Sequence, residues 1–151
     1  MDYKEIENLV RLRAREIAGV KNLKIKFSDQ MTRSYALCYW QETPQAIYFN
    51  KTFIDLNKNN NRVITELIIH ECIHLIPGCN RHNRKFMNKC QQYEIELYGY
   101  STDIKDVKPI FATHCTKCGS FKAYFVKPSV TRCKLCKGKL KLIDCEKKYG
   151  A

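Results

Sequence analysis

The chain has 151 residues, 44% hydrophobic and 28% charged, enough for one core-forming domain and a small second module. Its longest apolar run, Tyr35 to Trp40, is far too short to cross a bilayer, so no membrane segment is expected. The formal charge of +12 is uneven: residues 1–100 carry 15 basic and 11 acidic side chains, residues 101–151 carry 12 and 4.

The first ten residues, MDYKEIENLV, hold three acids and no apolar signal core. They therefore predict a chain that is not secreted but cytoplasmic, or in the nucleoid or nucleus according to the host. Residues 3–18 predict an amphipathic helix, with Tyr3, Ile6, Leu9, Val10 and Ile17 at helical spacing and Gly19 as its stop. Leu23 to Phe27 alternates apolar and basic residues as a half-buried strand does. Residues 33–41 are strand-like and rich in aromatics, and a turn through Pro44 leads to a third strand, 46–50. A short helical piece follows after residue 51, then an asparagine-rich loop.

From Arg62 to about Leu75 the pattern is that of a helix apolar nearly all round, which belongs at the centre of a domain. Within it stand His70, Glu71 and His74. Two histidines four residues apart lie on one helix face, where both imidazoles reach a single ion. Glu71 between them can take a proton from a metal-activated water, the His-Glu-x-x-His arrangement of zinc peptidases. Polar groups on a buried helix are costly without partners, and a metal supplies the partner.

Pro77-Gly78 should end this helix, and a second is predicted from about Arg81 to Leu97, with His82, Phe86, Cys90, Tyr93 and Leu97 along one stripe. His82 then comes from a separate element as a third ligand, leaving the fourth zinc position open, as catalysis requires. Glu94, twenty residues beyond His74, competes for that role. An oxyanion-stabilising group is also required, with Tyr93 and Tyr48 as candidates, and strand 45–50 could hold an extended substrate by β-addition.

Residues 103–110 read as a linker between a metallopeptidase domain, 1–102, and a zinc ribbon, 111–146. Cys115-x-x-Cys118 and Cys133-x-x-Cys136 form two knuckles able to enclose one structural zinc, each followed by a glycine that eases the turn. Their spacing and the odd total of nine cysteines favour metal ligation in a reducing compartment over disulfides. His114 is a minor contender for the ribbon site, and Cys145 reads as free. Cys38, Cys72, Cys79 and Cys90 read as small buried residues, with Cys79 close enough to the histidines to sense oxidation.

Lys122, Tyr124, Phe125, Lys127, Arg132 and Lys134 interleave aromatic and basic side chains in the tail, a pattern suited to stacking bases and neutralising phosphates. The same aromatics could instead pack a domain that has little else to bury, and the lysines could merely keep it soluble.

The run Ile68 to Leu75 (IIHECIHL), followed by His82 to Phe86 (HNRKF), resembles the SprT-like metallopeptidases, a family that includes Spartan, the DNA–protein crosslink protease. The likeness covers the order of elements along nearly the whole chain. It implies an α+β, zincin-like domain of helix, small sheet, active-site helix and third-ligand helix, followed by a zinc ribbon. It further implies a zinc endopeptidase with His70, His74 and His82 as ligands of a catalytic zinc, Glu71 as general base and Phe86 as a packing aromatic. A second zinc would be structural, and the substrates would be proteins held on nucleic acid, most simply DNA. Asn83 stands where the family usually has glycine, and the link from His74 to His82 is short. Two rival readings are a metal-dependent endoribonuclease with clustered histidines and a non-enzymatic nucleic-acid adaptor. An intact Glu71 argues against both.

Overall fold

A computed structural model describes residues 1–31, 34–95, 111–124 and 127–144. It is a mixed α+β structure with four helices and two three-stranded sheets among those residues. The first helix, α1 (Tyr3–Ala18), starts where the Asp2 carboxylate accepts a hydrogen bond from the Glu5 amide. It ends at Gly19, whose φ of 68° is the left-handed conformation that glycine adopts at least cost. Ile6, Val10 and Ala14 are the face it buries.

Strands β1 (Leu23–Ser28), β2 (Ala36–Tyr39) and β3 (Gln45–Asn50) form the first sheet in the order β1-β3-β2. β3 runs parallel to β1 and antiparallel to β2. Ile47 and Phe49 point from β3 into the core, where Phe27 stacks on Phe49 and Tyr3 tilts against Phe27. β3 is therefore the central strand, bonded on both sides. The expectation that residues 45–50 form a free edge for substrate is overturned, and the edge beside the histidines belongs to β2.

Asn50 fastens this arrangement. Its side-chain oxygen accepts from the Phe53 amide to cap α2 (Lys51–Asn57), while its side-chain nitrogen donates to the carbonyls of Met31 and Ser34. The segment entering β2 is thus tied to the end of the central strand.

Helix α3 (Asn61–His74) lies at the centre, as its apolar girth predicts: ten of its residues are buried, from Val63 to Ile73. Val63, Ile64, Leu67, Ile68 and Cys72 join the main core with α1 and the sheet, and Ile69 and Ile73 join a second cluster with Cys79, Phe86, Cys90 and Ile95. Burying a side chain of this size is worth about 1.5–3 kcal/mol, so a helix sandwiched on two sides is the most firmly held element of the domain.

The second predicted helix is shorter than its periodicity suggested. α4 spans Arg84–Gln92, with Asn83 as N-cap and Tyr93 as C-cap. The Asn83 side chain accepts from the Phe86 amide at 2.9 Å, which starts the helix after His82, and Glu94 at φ 55° leaves it in a left-handed turn. His82 accordingly sits on the loop before α4, not on the helix.

The second sheet holds β4 (Phe111–Cys115) between β5 (Phe121–Tyr124) and β6 (Leu140–Asp144), all antiparallel. Phe111 also packs against the main core. The expected boundary at 102 and the linker 103–110 lie outside the described residues, as do Phe125 and Cys145. Among the described residues no helix is long and apolar enough to cross a membrane.

Candidate metal centre

Three imidazoles converge beside α3. The Nε2 atoms of His70, His74 and His82 lie 3.2 Å from one another in every pairing. Tetrahedral zinc with bonds of about 2.0–2.1 Å to imidazole sets its ligand nitrogens about 3.3–3.4 Å apart, so the triangle fits one such ion. The arrangement can therefore hold a metal. Glu94 is not in this group; it is exposed, in the turn beyond α4.

Each histidine is held by a different device. His70 is buried on α3, with Tyr35 at 6.0 Å between ring centroids. His74, one turn later, directs Nδ1 to the carbonyl oxygen of Cys79 at 2.8 Å. A carbonyl accepts only, so Nδ1 carries the proton and Nε2 presents its lone pair inward. Burial lowers the His74 pKa to about 4, and it lowers that of His82 as well, which keeps both imidazoles in the neutral, ligating form.

His82 is placed by its loop. Gly78 turns the chain at φ 85°, the Asn83 side-chain nitrogen donates to the Gly78 carbonyl, and Lys85 Nζ donates to the Pro77 carbonyl. Asn83 at φ −90° needs no glycine-like backbone and supplies a cap that glycine lacks, which accounts for its presence there. Phe86, fully buried, lies against all three imidazoles with centroids at 4.9, 4.4 and 4.8 Å from His70, His74 and His82. It forms the floor on which the rings rest.

A cleft of about 370 Å³ opens over this triangle. One wall is α3 with His70, Glu71 and His74; the other is the run Ser34 to Cys38; and Asn80, Arg81 and His82 close one end. Glu71 is only 3% exposed, its Oε1 is 3.9 Å from His70 Nε2, and burial raises its pKa to about 8. Burial, then Glu71, also push the Cys38 thiol up, so it faces the cleft as a neutral thiol. Neither Tyr48 nor Tyr93 lines the cleft: Tyr48 is on the far face of the sheet and Tyr93 packs beside α4. Tyr35, Asn80 and Arg81 are the donors that do, and sequence spacing gave no sign of them because the cleft joins segments over thirty residues apart.

These geometries agree with a comparison of the whole sequence. A family model, the SprT-like family, matches residues 5–106. The chain belongs to the SprT-like family. No curated protein and no solved structure matches it.

A second group lies in the C-terminal sheet. The thiols of Cys115, Cys118, Cys133 and Cys136 converge, with 3.4 Å between Sγ of Cys115 and Cys136 and 3.7 Å between Cys118 and Cys133. Four sulfurs on tetrahedral zinc stand about 3.8 Å apart, so this member of the SprT-like family carries a four-cysteine cluster that fits a zinc ribbon. His114 is not in the cluster. The Cys118 and Gly138 amides donate to Cys115 Sγ and Cys136 Sγ, each at 3.4 Å, and Ser120 chiefly draws the Cys133 pKa down to about 6. At Cys133 this favours thiolate, the form that binds metal, whereas the neighbouring thiols push Cys136 up to about 11.

The two glycines act differently from each other. Gly119 takes the left-handed turn at φ 76°, but in the second knuckle Lys137 takes it at φ 62°. Gly138 is required for space: a Cβ there would sit 2.7 Å from Lys117 Cβ and 3.1 Å from Cys115 Sγ.

Of the basic and aromatic tail residues, Lys122, Tyr124, Arg132 and Lys134 line one cleft of about 320 Å³, with Lys122 Nζ 5.3 Å from the Tyr124 ring centroid. Lys127 is exposed and does not line that cleft.

Proposed function

We propose that this chain is a zinc metalloendopeptidase with a zincin-like catalytic domain, acting on proteins bound to nucleic acid. The observation that carries the reading is the three-imidazole triangle with a buried carboxylate beside it, on one wall of a cleft whose other wall is a strand edge. His70, His74 and His82 would hold the catalytic ion, and Cys115, Cys118, Cys133 and Cys136 a structural one. Bound at the histidines, zinc supplies a Lewis acid and makes water acidic enough to attack at neutral pH.

The chain's own groups account for the rest. β2, unpaired on its outer side among the described residues, would offer that edge to an extended peptide, whose backbone would pair with Ala36 to Cys38 and run along the cleft. Glu71 would take the proton of the attacking water and pass it to the leaving amine; a metal ion beside it would hold the buried carboxyl ionised, as the first transfer requires. Arg81, Asn80 or Tyr35 would donate to the oxyanion. In the ribbon, a cleft with Tyr124 as platform and Lys122, Arg132 and Lys134 at its rim suits a nucleobase and its phosphates.

The test is cleavage of a DNA-binding protein by the purified full chain, with and without single-stranded DNA, beside Glu71→Gln. Cleavage by the wild type that is stimulated by DNA and abolished in Glu71→Gln, with zinc retained in both, is expected. Equal cleavage by both proteins would overturn the mechanism. Cleavage indifferent to DNA would remove nucleic acid from the proposal, and RNA cleavage without proteolysis would replace peptidase by endoribonuclease.

A further inference from the structure

The outer face of the first sheet turns away from the core and has no use in the mechanism above. Period-two alternation puts Lys24 and Lys26 of β1, Ala46 and Tyr48 of β3, and Leu37 and Tyr39 of β2 on that face. Cross-strand register sets Lys26 and Leu37 on either side of Tyr48, and Lys24 and Tyr39 on either side of Ala46. Lys24 Nζ and Lys26 Nζ lie 5.7 and 5.6 Å from the Tyr48 ring centroid, and the Tyr39 ring meets it edge-on at 4.9 Å. Leu37 is 41% exposed, and Trp40, next along the chain, is 39% exposed. None of the six face residues is acidic. A solvent-facing sheet surface has no structural need for two tyrosines and two lysines in contact.

We infer that this face is a binding surface for single-stranded nucleic acid on the catalytic domain itself, distinct from the ribbon. Tyr48 offers a base a ring already flanked by cations, and Tyr39 widens the platform beside small Ala46. Lys24 and Lys26, about 7 Å apart along β1, reach the phosphates on either side of a stacked base. An acidic peptide would use the charges but not the rings, and an extended peptide would seek the strand edge rather than this face. Leu37 belongs to the face and also lines the cleft. A strand lying here passes the mouth of the cleft, so a protein carried on it is delivered to the histidines. The inference extends the nucleic-acid part of the proposed function and stands apart from its peptidase part, because binding is read without cleavage.

Trp40 is the chain's single tryptophan and adjoins this face, so its emission reports here and not on the ribbon. The experiment titrates the zinc-loaded full chain with a twelve-nucleotide oligo(dT), reading Trp40 emission and the anisotropy of the labelled oligonucleotide over a series of salt concentrations. Wild type should bind with a change in Trp40 emission. Replacing the exposed lysines, Lys24→Ala with Lys26→Ala, leaves the core untouched. It should reduce the salt slope by about 1.4, two phosphates at about 0.7 each, and raise Kd about tenfold at about 0.15 M salt. Lys122→Ala with Arg132→Ala, in the ribbon, should weaken binding while preserving the Trp40 response at saturation. An unchanged Kd and slope in the Lys24/Lys26 variant would overturn the inference, as would a silent Trp40 at saturating oligonucleotide. So would poly-glutamate that shifts Trp40 emission as oligo(dT) does, since that would mark a general anion surface.

Discussion

Glu71 should make the metal-free protein lose stability as pH rises, and Glu71→Gln should abolish that loss. Its folded pKa is about 8 against an ordinary value of 4.5, because burial penalises the carboxylate. Between those values the folded protein keeps a proton that the unfolded chain has released. Stability is then full below about pH 4.5 and declines by about 1.4 kcal/mol per pH unit until the folded group ionises near 8. His74 acts in the opposite sense: its folded value of about 4 lies below the ordinary 6.5, so its contribution rises with pH between the two and is level above. In the wild type the two slopes offset through the acid range; from about 6.5 to 8 that of Glu71 is left, opposed by Cys133 in the ribbon, whose lowered pKa adds stability as pH rises.

Urea unfolding of chelator-treated protein, followed by Trp40 emission, measures this at pH 6 and pH 8. Trp40 is in the domain that carries Glu71, and His74 and the ribbon thiols are common to both proteins. Glutamine, neutral at every pH, should gain on wild type by about 2 kcal/mol between those two values. Zinc should flatten the wild-type profile, since a dication beside Glu71 keeps it ionised. Parallel profiles for the two metal-free proteins would refute the assignment of a proton to buried Glu71.

Phe86→Ala removes the floor beneath three imidazoles, and should cost about 3–5 kcal/mol in urea unfolding as a buried phenylalanine cavity. Chelator competition should show zinc at the histidines weakened about 10- to 100-fold, with the ribbon zinc unchanged. Gly138→Ala should do the reverse, because its methyl group would intrude on Cys115 Sγ and Cys136 Sγ: one of two zinc equivalents is lost by elemental analysis and the other stays. Gly78→Ala forces an L-residue to φ 85° against Lys85, costing about 1–2 kcal/mol, and should lower zinc affinity by displacing His82 while the helicity of α3, read by circular dichroism, is kept.

What the sequence disclosed follows the range of each interaction. His70, Glu71 and His74 are legible because one turn of helix relates them, and the cysteine knuckles because each pair is closed by a local turn. The extent of α1 and α3 is legible for the same reason, through apolar spacing and the stop at Gly19. The end of α4 nearest the metal was not, since helical spacing continues from Phe86 back to His82 whether or not the helix does. The Asn83 cap decides it, and an asparagine reads equally as cap, turn or surface residue until its partner amide is known. Strand order is a longer-range matter still. Residues 45–50 read as an edge strand, but the parallel pairing of β1 with β3 puts this last strand in the middle. Alternation along β3 is the same in either order, so no pattern within residues 45–50 could show that its edge was taken.

That inversion bears on function more than any single side chain. With β3 central, Asn50 at its end holds the carbonyls of Met31 and Ser34, and the strand left at the edge, β2, faces α3 across the cleft. The two faces of β2 then divide the work. Ala36 and Cys38 turn toward the core and the histidine wall, while Leu37 and Tyr39 belong to the lysine–tyrosine face. A peptide paired to the edge and a nucleic-acid strand on the outer face would therefore share one short strand and meet only at Leu37, which borders both. If both occupy β2 together, an inert peptide bound in the cleft should leave oligo(dT) affinity within about twofold of its value in the free protein. A strong mutual exclusion would mean that the two surfaces overlap.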